Sequence, residues 1–149
     1  MNNVITIYKI NKKFFTKTIY SIIEKIYYMN VIPNIICHTK EEVKILDNLI
    51  WKYRNLLFIP HHTQYDEWQI SRKSILISTY KKNYNLSLSK EIIFMSCRVF
   101  TPTLIKKNRN FLIDYNMLNI NKLKFRYNNQ KLLFQLFEQN DRGKWKEYN

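Results

Sequence analysis

Apolar and polar positions change their period several times along this chain. Val4 to Lys9 alternates apolar with polar residues, a period of two that predicts a β-strand. Ile19, Ile22, Ile23 and Ile26 then recur at helical spacing, and Thr16 or Thr18 offers that helix a cap. Val31 to Cys37 is a β-branched run in which Pro33 suits the start better than the middle. Thr39-Lys40-Glu41-Glu42 has the form of a capping box, opening a helix through about Trp51 with Val43, Leu46 and Ile50 inward. Leu56 to Ile59 predicts a short apolar strand stopped by Pro60, and His61 to Arg72 is mostly polar and irregular. Ser74 to Ser78 and Glu91 to Met95 are compact apolar strands. Thr101-Pro102 signals the start of a helix reaching about Met117. Leu132, Leu133, Leu136 and Phe137 suggest an amphipathic helix ahead of a polar end, Asn140 to Asn149.

Strands alternating with helices imply an α/β fold with a mostly parallel sheet. A chain of 149 residues suits one domain with a real core. Its two cysteines, Cys37 and Cys97, are too far apart for a zinc pair or redox motif and read as buried, reduced thiols of a cytoplasmic protein. The start lacks the pattern of a secretory signal, and the most apolar stretch, Thr18 to Cys37, is broken by Glu24, Lys25 and Pro33, which leaves no membrane span.

The net charge of +14 favours an acidic or nucleic-acid partner. That inference is weakened because the basic residues are scattered among Asn, Ile, Tyr and Phe, the composition that A- and T-rich codons produce. The lone Gly143 is more informative. Phosphate-cradling loops need glycines between a strand and a helix, and none is available here, so no nucleotide cofactor is expected.

His61 and His62, with Asp66 and Glu67, form the one cluster resembling a metal or nuclease site. Adjacent histidines on a strand would point to opposite faces and chelate poorly, which favours a polar loop. Asp47 could serve as a general base, but no partner carboxylate lies near it in sequence. A small metal-dependent nuclease remains the enzymatic alternative, and direct binding of DNA or RNA by a basic protein the other.

The most informative stretch is Leu46-Asp47-x-x-Ile50-Trp51, followed after six residues by Phe58-x-Pro60-His61. Spacing alone favours core burial of the two aromatics over an interface role, although such rings also make good anchors. This run resembles the chi subunit family of bacterial DNA polymerase III, in which Leu-Asp-x-x-Leu-Trp precedes Phe-x-Pro-His. Arg72-Lys73-Ser74-Ile75-Leu76-Ile77-Ser78 is similar to that family's Arg-Arg-Asp-Ile-Leu-Ile-Ser strand, and Leu118-Asn119-Ile120-Asn121 to its Phe-Asn-Leu-Asn ending.

The resemblance implies a nucleotide-binding-like (Rossmann-like) topology without a phosphate loop, spanning residues 1–124; residues 125–149 lie beyond the family's usual end and read, from their own spacing, as a partly helical C-terminal extension. It implies a non-catalytic accessory subunit that bridges the clamp loader, through the psi subunit, and the acidic C-terminal tail of the single-stranded DNA-binding protein, meeting DNA only indirectly. By position in the motifs, Trp51, Phe58 and Pro60 fall on the psi-facing surface. Lys107 and Arg109 fall on the tail-binding helix, whose Tyr, Gly and remaining basic positions are replaced here.

Overall fold

The structure, a computed structural model, describes residues 3–53, 58–66, 74–79, 91–100, 109–115, 120–127 and 132–148. The alternating start forms β1 (Asn3–Lys9), with Ile5 and Ile7 fully buried. A single 3-10 turn, Lys12–Phe14, leads into α1 (Phe15–Tyr28), which buries Ile19, Ile23 and Ile26. Neither Thr16 nor Thr18 caps this helix. The Asn11 side chain caps the preceding turn instead, and Thr18 is buried inside α1. After β2 (Asn34–Cys37), Thr39 caps α2 (Lys40–Lys52) by accepting from the Glu42 N–H at 3.1 Å. The Glu42 carboxylate reaches back one residue beyond a standard box, taking the His38 N–H at 2.7 Å.

Three short strands follow: β3 (His61–Thr63), β4 (Ile75–Thr79) and β5 (Glu91–Phe94). The expected strand at 56–59 lies partly outside the described residues, and the strand here starts after Pro60. Next comes β6 (Arg109–Asp114), which corrects the helix expected from Thr101 to Met117 over its described part. Asn110 to Asp114 are all buried, so this segment carries no solvent face to produce a helical or alternating pattern. A short helix, α3 (Ile120–Arg126), precedes the final hairpin of β7 (Leu132–Gln139) and β8 (Trp145–Tyr148). The amphipathic helix expected at Leu132, Leu133, Leu136 and Phe137 is therefore a strand.

The described strands form one sheet in the order β3-β4-β2-β5-β6-β1-β7-β8, parallel except for the terminal hairpin. The chain is thus a mixed α/β domain. β7 runs parallel to β1 over Asn3↔Leu132 to Lys9↔Glu138, so the C-terminal segment completes the sheet rather than lying on its surface. Gly143 belongs to this hairpin: its φ of 77° closes the turn, and the Asn140 side-chain oxygen accepts the N–H groups of Arg142 and Lys144 at 2.9 Å each.

Both faces of the sheet are covered around β2, β5 and β6. Ile35, Ile77, Ile93 and Ile113 pack with the inner faces of α1 and α2. Ile7, Ile36, Phe94 and Leu112 point the other way and pack with Val99, Phe100 and Leu123 of α3. The buried amide of Gln139 ties the hairpin to the first half of the chain, donating to the Thr18 hydroxyl at 3.1 Å and accepting the Asn11 N–H at 3.3 Å. Among the described residues no helix is long and apolar enough to cross a membrane.

Candidate interaction surface at the Trp51–Phe58 patch

Leu46, Asp47, Ile50 and Trp51 occupy successive turns of one helix. On α2, Leu46 and Ile50 face the core, while Asp47 and Trp51, four residues apart, share an outer face. The chain then returns so that Phe58 lies against Trp51, with ring centroids 5.4 Å apart. Trp51 is 52 % exposed and Phe58 65 % exposed. These values correct the expectation of core burial: the pair is a surface patch. Pro60 is half-buried beside it, and its carbonyl accepts the Ile75 N–H at 2.9 Å, tethering the segment to β4.

The patch has a polar underside. His61 is only 3 % exposed, and its ring lies 4.9 Å from that of Trp51. The Nδ1 atom is 2.7 Å from the Ile59 carbonyl oxygen, which can only accept, so Nδ1 carries a proton. Nε2 therefore faces Asp47 Oδ1, 3.2 Å away, in a contact too poorly aligned for a good hydrogen bond. Burial pushes the Asp47 carboxyl above its ordinary range; the His61 charge opposes this, Asp66 adds to it, and the Trp51 indole hydrogen bond opposes it. Trp51 is thus held from below by Asp47 and His61 while its outer surface meets solvent. That arrangement fixes the orientation of an exposed aromatic ring.

His62 does not join His61. The β3 alternation turns it toward Ser74, with Nδ1 2.7 Å from the hydroxyl, and burial lowers its pKa, with Asp66 opposing and His61 adding. Asp66 instead accepts the Thr63 N–H. Glu67 and Lys107 lie outside the described residues. No group of three His, Cys, Asp or Glu side chains among the described residues is arranged to hold a metal ion. Arg109, expected on a helix beside Lys107, is exposed at the start of β6.

A small cavity of about 180 Å³ sits where β5 and β6 end, lined by Glu42, Cys97, Arg98, Asp114 and Tyr115. Crevices at the carboxyl ends of the strands are where open α/β sheets commonly bind ligands. Here the two carboxylates would repel a phosphate, and Tyr115 is raised by burial and then by the neighbouring Glu42 charge. Cys37, behind it, is pushed up to about 12 by burial and by Glu42, which makes it an inert core thiol. Cys97 is only half-buried, so the expectation of two buried thiols holds for one of them.

The chain is 27 % identical over 155 residues to the "Probable DNA polymerase III subunit chi" of Rickettsia prowazekii (strain Madrid E), covering 94 % of this chain and 88 % of that protein. The family model "DNA polymerase III chi subunit, HolC" matches residues 3–148, hairpin included. The chain therefore belongs to the DNA polymerase III chi subunit family.

Proposed function

We propose that this protein is a non-catalytic accessory subunit of the replicative polymerase, docking a psi-type partner through Trp51, Phe58 and Pro60. The observation that carries this reading is the exposed aromatic pair, braced from beneath by Asp47 and His61. Two large rings left half or more in water, beside a proline that stiffens their backbone, fit the centre of a protein interface better than a solvent-facing surface. The parallel sheet serves as a scaffold of nucleotide-binding-like topology without a phosphate loop, and its role is positioning rather than chemistry. Membership of the chi family supports an accessory role in replication, and we extend the proposal to a second contact, the acidic tail of the single-stranded DNA-binding protein. Such a bridge raises the effective concentration of polymerase at coated template. Arg109 starts a strand rather than joining a tail-binding helix, so the tail contact is proposed for the protein without resting on that residue. Affinity capture with the full-length chain from a native lysate tests the reading. Recovery of clamp-loader subunits supports it, and recovery of none of them rejects it.

A further inference from the structure

A groove of about 630 Å³ runs between α1 and the exposed end of the sheet formed by β6, β1, β7 and β8. Its floor is aromatic. Tyr8 stacks between Phe111 and Phe137, at 6.2 and 5.6 Å between centroids, and Trp145 meets Tyr8 edge-on at 5.5 Å. Its rim is cationic: Lys17 and Lys25 come from α1, Arg109 from β6 and Arg142 from the hairpin turn. All four are exposed, and none forms an ion pair with a described residue. No carboxylate is among the described residues lining the groove; Glu91, opposite Arg109 in the register, is buried.

From this combination we propose that the groove binds single-stranded nucleic acid directly. Four cations around a ring-lined floor match a chain of phosphates carrying flat bases. An acidic peptide shares the charge but fits less well. A desolvated peptide needs partners for its own N–H and C=O groups. The groove walls are a helix face and a sheet face, whose backbone groups are already paired within their elements. Trp145, 40 % exposed, offers a base a surface to stack on. The site lies at the β8 end of the sheet, whereas the Trp51–Phe58 patch lies beside β3 at the other end, so the two readings stand or fall separately.

The test is fluorescence anisotropy with a labelled oligothymidylate of about ten nucleotides, titrated with the full chain at several salt concentrations. Binding should weaken linearly in log–log form with salt. The Lys25→Ala/Arg109→Ala double variant should flatten that slope by about 1.4, twice the single-strand value per phosphate. Trp145→Ala should weaken binding at least about fivefold, with Trp145→Phe recovering most of the loss, which separates stacking from misfolding. Lys124→Ala/Arg126→Ala on α3, across the sheet, should change neither slope nor affinity beyond a small general charge effect. The proposal is overturned if the α3 pair matters as much as the groove pair. It is also overturned if a short Asp-rich peptide ending in Phe binds the groove more tightly than the oligonucleotide at equal salt.

Discussion

The stack of Tyr8 against Phe137 joins the first strand to the last hairpin, and a double-mutant cycle measures it. Tyr8 contacts Phe111, Phe137 and Trp145, with centroid separations of 6.2, 5.6 and 5.5 Å. Aromatic pairs contribute about 0.5–1.5 kcal/mol each beyond area burial, so Tyr8→Ala should cost about 2–4 kcal/mol. Phe137→Ala removes one of those pairs from a half-buried position and should cost about 1–2.5 kcal/mol. Because both variants delete the same contact, the double variant should cost less than their sum by about 1 kcal/mol. Urea unfolding of the four proteins gives the cycle. Additivity within about 0.5 kcal/mol would refute the parallel placement of β7 beside β1, since residues far apart do not couple.

Three further outcomes follow from individual contacts. The raised Asp47 carboxyl favours its protonated form in the folded state, so its contribution is full below the ordinary carboxylate pKa and is lost as pH rises through the raised value. Asp47→Asn should remove that loss, and its urea midpoint should gain on wild type as the pH is taken from about 4 to about 7. Thr39→Ala deletes the cap on the Glu42 N–H and should cost about 1 kcal/mol, read as a fall of a few degrees in melting temperature. Gly143→Ala finds room for its Cβ, 3.6 Å from the Phe14 ring, but not for its φ of 77°, and should cost about 1 kcal/mol by urea unfolding.

Sequence periodicity was most reliable where one face of an element meets solvent. β1, α1 and α2 each alternate between buried and exposed positions, and their period is visible without the structure. β6 offered no such contrast, because Asn110 to Asp114 are enclosed from both sides of the sheet. β7 was ambiguous for a different reason. Leu132, Leu133, Leu136 and Phe137 fit helical spacing, yet Leu132, Phe134 and Leu136 share one face of a strand equally well. What decides between them is pairing with β1, a partner more than a hundred residues away that no local window contains. One local cue did exist: Asn140-Asp141-Arg142-Gly143 is a hairpin turn, and it excludes a helix running into the polar end. At the candidate surface, the motif spacing brought Trp51 and Phe58 together, but their exposure depended on the return of the chain after α2. In sequence His61 sits in a polar stretch; its place beneath Trp51 arises from the β3 alternation, which a three-residue strand barely signals.

The Trp51–Phe58 patch is proposed as the docking surface for a psi-type partner. Isothermal titration of that partner into wild-type protein and Trp51→Ala, with melting curves for both, tests it most directly. A half-exposed tryptophan contributes modestly to folding, so the variant should melt close to wild type. Its partner affinity should fall by about 2 kcal/mol or more, roughly thirtyfold. Unchanged affinity in a folded Trp51→Ala protein would contradict the account.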